Sequence, residues 1–163
     1  MTSPADALAA TRVAVDDLKR VAAGCSGTWT TARAPGKWSP SRVVEHIALS
    51  LESSADEIAG RPSRFPRVPA IVRPLARMFM RRVIRTGRFI KARTNPAMDP
   101  PSGPASPGEG QARLDGAFRA LDEACRHAAD DTVDSRVFGK VDLADYLTFQ
   151  RHHVIHHTAQ MTW

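Results

Sequence analysis

The residues with the clearest chemical potential are histidines near the end of the chain. Four of the six histidines lie between His152 and His157, within the stretch DLADYLTFQRHHVIHHTAQMTW that starts at Asp142. Neither Gly nor Pro interrupts this stretch, so it predicts a helix with Asp142 as its N-cap. Residues four apart share one face of a helix, and two imidazoles at that spacing can bind one metal ion. Two pairs have this spacing: His152 with His156, and His153 with His157.

The packing face of the predicted helix favours the second pair. Phe149, His153 and Gln160 follow one another at helical steps, with His157 beside them. The adjoining apolar stripe contains Leu143, Leu147, Val154 and Met161. We therefore expect His153 and His157 to face the interior, and His152 and His156 to lie nearer the rim.

A third histidine lies on a second predicted helix. Ser39 followed by Pro40 is a strong helix start, and the helix is expected to run to about Ala59. His46 lies close to its buried stripe, which contains Val43, Ile47, Leu51, Ser54 and Ile58. A lone histidine at such a position is usually a structural residue that makes a hydrogen bond. Three inward imidazoles, however, leave coordination positions open on a metal, which is typical of a catalytic site.

The elements that must position these histidines are helical. Further helices are predicted over residues 4–23, 73–90 and 111–129, and the five prolines and three glycines of residues 94–110 predict a long flexible loop. No convincing alternating strand is present. We expect an all-α fold with a single domain over residues 1–163: a four-helix bundle with an extra basic helix in the long connection.

That basic helix belongs to a segment of unusual charge. Between Arg61 and Arg93 there are eleven basic residues and no acidic one, although the net charge of the whole chain is only +6. The arginines at 73, 77, 81, 85 and 88 share one arc of the helix, opposite Leu75, Phe79, Val83 and Ile90. A solvated outer face explains this pattern, and so does an anionic partner such as nucleic acid, a lipid surface or an acidic ligand. No nucleic-acid-binding motif accompanies the arginines, so we do not expect nucleic acid.

The composition is that of an ordinary globular protein. The chain has 163 residues, of which 42% are hydrophobic and 25% charged, and this length is enough to build a core. Neither a transmembrane span nor a signal peptide is indicated, so we expect a cytoplasmic location. Cys25 and Cys125 form no CxxC motif and are expected to be reduced thiols.

Two stretches resemble the DinB-like (YfiT-like) metal-dependent hydrolase superfamily, which includes mycothiol-dependent maleylpyruvate isomerase and the bacillithiol transferases. The first is KWSPSRVVEHIALSLE, residues 37–52, similar to the segment in which a Trp-Ser-Pro start leads to the first metal histidine. The second is VFGKVDLADYLTFQRHHVIHHTAQM, residues 137–161, similar to the closing helix of the family. The arginine-rich middle of the chain has no counterpart in these motifs.

The resemblance implies a divalent metal site formed by His46, His153 and His157. Zinc suits three imidazoles best, and nickel, iron and manganese are also compatible with them. Gln160 could form a hydrogen bond to the second ring nitrogen of a metal-binding histidine or to a metal-bound water. Alternatively, it is a simple polar residue at the end of the helix. Tyr146 either lines the pocket or packs, and Glu45 is expected to be a surface acid.

Two functions of different classes follow. The leading hypothesis is a metal-dependent enzyme that activates water for hydrolysis, or a low-molecular-weight thiol for S-transfer, with a small-molecule substrate that the basic helix could attract if it is anionic. The alternative is a non-enzymatic metal-binding or anion-binding bundle that acts through a partner. The sequence identifies neither the substrate nor the native metal, and it leaves a homodimer open.

Overall fold

The computed structural model describes residues 2–90 and 94–162, and the predicted all-α class is confirmed. The helices are α1 (Pro4–Ala23), α2 (Pro40–Ile58), α3 (Arg73–Thr86), α4 (Pro107–Arg126) and α5 (Leu143–Ala159). A two-stranded antiparallel hairpin, β1 (Thr132–Ser135) and β2 (Gly139–Asp142), lies between α4 and α5. No helix in these ranges has the length and apolar character needed to cross a bilayer.

Short local signals start the four bundle helices. Ser3, Ser39 and Ser106 are N-caps whose hydroxyls accept hydrogen bonds from backbone N–H groups three residues later, and each is followed by Pro at the first helical position. Asp142 caps α5 by accepting from the N–H of Ala144 at 2.9 Å. These caps explain why the predicted starts of α1 and α2, and the predicted N-cap of α5, agree with the structure.

The core lies between two helix pairs, because α2 packs on α4 and α1 packs on α5. Its largest fully buried aliphatic side chains come from all four helices, and they include Leu18, Ile47, Leu51, Leu114, Leu121 and Leu147. Ion pairs at the edges join the same helices: Arg113 of α4 binds Glu45 and Glu52 of α2, and Lys19 of α1 binds Asp115 of α4 at 2.8 Å. Burial and charge pairing together bring α2 and α5 into the same bundle.

The hairpin corrects the expectation that no strand is present. Val133 and Ser135 of β1 are buried in alternation with exposed neighbours, as are Gly139 and Val141 of β2. Each strand has four residues, which is too short for a period of two to stand out from the sequence. The hairpin ends at Asp142, so its last residue is also the N-cap of the histidine helix.

The proline-rich connection before α4 also needs correction, since its backbone is held against α2 rather than free. The carbonyl of Pro104 accepts hydrogen bonds from Ser41 Oγ and Trp29 Nε1, both at 2.7 Å. The carbonyl of Pro100 accepts from Arg42 Nε at 2.8 Å. The helix α4 starts at Pro107, four residues earlier than predicted, because Ser106 provides its cap.

Helix α3 lies outside the bundle core and packs chiefly against α5. It ends at Thr86 rather than at Ile90, because Gly87 takes a left-handed conformation with φ of 66°. Arg81, Arg85 and Arg88 are exposed, whereas the half-buried Arg73 and Arg77 donate to the backbone carbonyls of Val68 and Phe138. Leu75 and Ile90, which the sequence pattern assigned to the buried arc, are 61% and 60% exposed.

Candidate metal centre

The three histidines singled out from the sequence come together in the structure. His46 projects from α2, and His153 and His157 project from successive turns of α5. One nitrogen of each ring can be chosen so that all three lie within 4.8 Å of one another. The Nε2 atoms of His46 and His153 are 3.2 Å apart. Two helices that are distant in sequence thus bring three imidazoles to one point.

The other nitrogen of each ring already has an oxygen partner. His46 Nδ1 is 2.6 Å from the carbonyl oxygen of Met98, and His157 Nδ1 is 2.9 Å from Oε1 of Gln160. A carbonyl oxygen can only accept, so the Nδ1 atoms of His46 and His157 carry the protons and their Nε2 atoms keep a lone pair. The Nε2 atom of His46 faces His153.

His153 is oriented by a buried hydrogen-bond chain. Its Nδ1 lies 3.3 Å from Ser50 Oγ, and the same hydroxyl donates to Gln150 Oε1 at 3.2 Å. With that donation made, the oxygen of Ser50 can accept from Nδ1–H of His153. The Nε2 atom of His153 then also presents a lone pair to the cluster, as metal-ligating histidines with an oxygen-bound second nitrogen do.

Burial keeps these imidazoles neutral. Burial, followed by the charge of nearby His46, lowers the pKa of His157 to about 3. Burial likewise lowers the pKa of His46, and it lowers that of His153 well below the ordinary range. The neutral imidazole is the form that binds metal, so the cluster could hold a divalent ion without first losing protons at neutral pH.

Trp38 covers one side of the cluster. Its ring stacks on His157 at 5.7 Å and lies tilted against His46 at 4.7 Å. Its Nε1 donates to Asp99 at 3.1 Å, and Arg42 pairs with the same carboxylate at 2.7 Å. The residue immediately before the α2 cap is therefore fixed over the histidines by the proline-rich connection.

The cluster opens into a cavity of about 1110 Å³. One wall is aromatic, where Phe149 of α5 contacts the rings of Phe79, Phe89 and Phe138. The exposed cations Arg33 and Lys37 also line the cavity. The site can therefore accept a small molecule with an apolar body and an anionic group.

The neighbouring histidines lie outside the three-histidine group. His152 lies against Gly87, at the end of α3, and does not line the cavity. His156 lines the cavity, and its Nε2 is 3.1 Å from the amide nitrogen of Gln160, which thus joins His156 to His157. The structure therefore separates the two pairs of α5 in the way the packing face indicated.

Two further residues weighed from the sequence have defined surroundings. Tyr146 is fully buried, lines the cavity and donates its hydroxyl to Glu57 at 2.8 Å. Burial, followed by the charge of Glu57, raises the pKa of Tyr146 well above its ordinary value. Glu45 is half-buried rather than a free surface acid, since it pairs with Arg113 on α4.

Sequence reasoning missed three partners of the cluster. Ser50 follows His46 by one helical turn and Gln150 precedes His153 by three residues, so their shared faces could have indicated them. The carbonyl of Met98 gave no such signal, because any residue type provides a backbone oxygen. Its position depends on how the proline-rich connection folds back on α2.

These features define a helical bundle with a buried three-histidine centre that could hold a metal ion. The family model of the DinB superfamily matches residues 7–161, so this chain belongs to the DinB superfamily. Neither a curated protein nor a solved structure matched the chain.

Proposed function

We propose that this chain is a metal-dependent enzyme in which His46, His153 and His157 hold one divalent ion. The observation that carries the proposal is the convergence of one nitrogen from each of three imidazole rings, while the Nδ1 atom of each ring also lies close to an oxygen atom. The cluster lies in the wall of a cavity large enough for a small substrate. A closed structural site would instead have a fourth protein ligand.

A bound divalent ion would supply one chemical function, which is to lower the pKa of a water or low-molecular-weight thiol so that it is a nucleophile at neutral pH. The residues of the chain would do the rest. Gln160 would orient His157, Ser50 would orient His153, and Trp38 would exclude bulk water from one side. Zinc suits this donor set best, and nickel, iron and manganese fit it as well.

The cavity lining supports a substrate with an apolar part and a negative charge. The aromatic wall around Phe149 would bury the apolar part, and Arg33 and Lys37 would attract the anionic part. With water as nucleophile the reaction is hydrolysis. With a thiol it is S-transfer, in which the thiolate sulfur bonds to an electrophilic carbon of the substrate and the leaving group departs from that carbon with the electrons of the broken bond.

The test has two stages, both on protein purified without an affinity tag. Elemental analysis should first find close to one divalent ion per chain. The zinc-loaded, nickel-loaded and manganese-loaded forms are then assayed with a panel of esters, amides and electrophilic carboxylates, with and without a low-molecular-weight thiol. We expect turnover that a chelator removes and that restored metal recovers.

Matched variants on one helix make this test specific. His153→Ala should lose both the metal and the turnover, whereas His152→Ala, one residue earlier and outside the cluster, should keep both. Metal bound without turnover in any assay would favour the alternative of a non-enzymatic metal-binding bundle. Equal losses in the two variants would overturn the assignment of the site.

A further inference from the structure

The outward side of α3 and the turn before it carries large apolar and basic side chains together. Ile71 is 89% exposed, and Leu75 and Met78 are 61% and 63% exposed. We call this the α3 outer surface, formed by Ile71, Leu75, Met78, Arg81, Arg82, Arg85 and Arg88, all of which are exposed. No other helix of the described chain combines these features.

Helical geometry places the two kinds of side chain on one face. Leu75, Met78 and Arg82 recur at steps of three and four, and Arg81 and Arg85 lie beside Met78 on the same exposed arc. The opposite arc holds Met80 and Val83, which are buried. The inward side of α3 is therefore satisfied by the bundle, whereas its outward side has apolar groups with no contact partner in the core.

The positive charge of this surface is not neutralised within the described residues. The sequence from Arg61 to Arg93 contains no acid. Among the ion pairs of residues 2–90 and 94–162, the only one that involves this segment joins Arg61 to Asp56. By contrast, Arg12, Arg20 and Arg126 on α1 and α4 each have a carboxylate partner. The positive electrostatic potential of these arginines therefore extends into the solvent.

We propose that the α3 outer surface docks on a bilayer surface rich in anionic lipid headgroups. Helices that lie in the membrane interface place large apolar side chains among the acyl chains and arginines among the headgroups, which is the mixture found here. Nucleic acid would use the arginines but would leave Leu75 and Met78 exposed. The aromatic side chains that could stack on bases, Phe79 and Phe89, are half-buried in the cavity wall.

The segment that bears this surface also contributes residues to the cavity lining. Phe79 of α3 lines the cavity, as does Ile90, which is 60% exposed beyond the end of the helix. This inference needs neither a metal nor a catalytic activity, so it stands or fails independently of the proposed function.

The experiment is co-sedimentation of the full chain with vesicles of phosphatidylcholine alone or with about one third phosphatidylserine. We expect binding only to the anionic vesicles, and its loss when salt rises from about 0.1 M to about 1 M, which shortens the Debye length from about 10 Å to about 3 Å. Each basic residue near such a surface increases the affinity for anionic vesicles about fivefold. Replacing Arg81, Arg82 and Arg85 by Gln should therefore weaken binding about a hundredfold.

Two controls test whether vesicle binding depends on this surface in particular, rather than on the net charge or the exposed apolar area of the whole protein. Replacing Arg20, Arg119 and Arg126 by Gln removes the same charge from exposed positions on α1 and α4, and should weaken binding less than tenfold. Met78→Ser should weaken binding about threefold to tenfold, whereas Val13→Ser on α1, at the same 63% exposure, should leave it unchanged.

Three results would overturn the proposal. One is no sedimentation with anionic vesicles at low salt. Another is an equal loss in the two arginine variants, which would mean that only the net charge matters. The third is tighter binding to duplex DNA or RNA than to vesicles together with no effect of Met78→Ser, which would make a nucleic acid the partner. All substituted residues are exposed, and unchanged thermal unfolding will show that each variant is folded.

Discussion

Helices α2 and α3 follow each other in the chain, but α2 is mostly buried in the core and α3 is mostly exposed at the surface. Thirteen of the nineteen residues of α2 are buried, against only Met80 and Val83 of the fourteen in α3. The buried set of α2 includes polar residues whose groups are bound, such as His46, Ser50 and Glu57. The candidate metal ligand of α2 lies among polar groups that are buried and hydrogen-bonded. The arginines of α3 are exposed or bind backbone carbonyls, because an unpaired arginine is costly to bury.

The largest expected difference between the two helices is the effect of a Leu→Ala substitution on the free energy of unfolding. Leu51 of α2 is fully buried, so Leu51→Ala should reduce the free energy of unfolding by about 2 to 5 kcal/mol. Leu75→Ala in α3 makes the same chemical change at 61% exposure and should change it by less than about 0.5 kcal/mol. Urea unfolding followed by circular dichroism will measure both. Similar losses would mean that the outward side of α3 is packed in solution.

Metal binding should depend on α2 and not on the surface segment. At a zinc concentration roughly a hundredfold above the dissociation constant, binding to the folded state adds about 2.7 kcal/mol and should raise the unfolding midpoint by about 5 to 10 °C. His46→Ala should remove most of this rise, because only the folded state brings α2 beside α5. Arg85→Gln in α3 should retain it. A full zinc-dependent rise in His46→Ala, measured by calorimetry, would place the third ligand elsewhere.

The metal-free protein should lose stability as the pH falls below about 6.5. Burial lowers the pKa of His46, His153 and His157 in the folded state, so between those values and 6.5 the unfolded chain binds protons that the folded chain does not. Each such histidine contributes about 1.4 kcal/mol per pH unit, and this stability is complete above pH 6.5. Urea unfolding between pH 5.5 and 7.5 will give the slope.

One variant of each helix tests the origin of this pH dependence. His46→Gln should reduce the slope, and Arg85→Gln should leave it unchanged, because α3 carries no histidine. A metal-free protein whose stability is flat over this range would show that the cluster is solvated in solution.

The smallest effect concerns the hydroxyl of Ser50 on α2, which is not one of the proposed metal ligands. Ser50→Ala should weaken zinc binding about tenfold, because His153 would lose the oxygen that orients its ring. Ser53→Ala is the matched control, since Ser53 is also buried on α2 and its hydroxyl has no partner among the described residues. Competition with a zinc-binding dye will compare the two affinities. Equal affinities would mean that Ser50 only fills space.

The sequence by itself determined where α2 and α5 begin and which two histidines of α5 face the interior. Ser39 with Pro40, and Asp142 before an uninterrupted stretch, start α2 and α5 through interactions that span only a few residues. The spacing of His153 and His157 places both on the face that bears Phe149 and Gln160. These features follow from the helical repeat, which requires no knowledge of the neighbouring helices.

Tertiary structure alone decided what completes the site and what remains exposed. The carbonyl of Met98 and the ring of Trp38 reach the cluster because the proline-rich connection packs on α2, a long-range contact with no periodic signature. The helical period of apolar residues predicted that Leu75 is buried, but such a period indicates only that one face of the helix is apolar. Whether that face is covered depends on which helix lies beside it, and α5 covers the side of Met80 and Val83 instead.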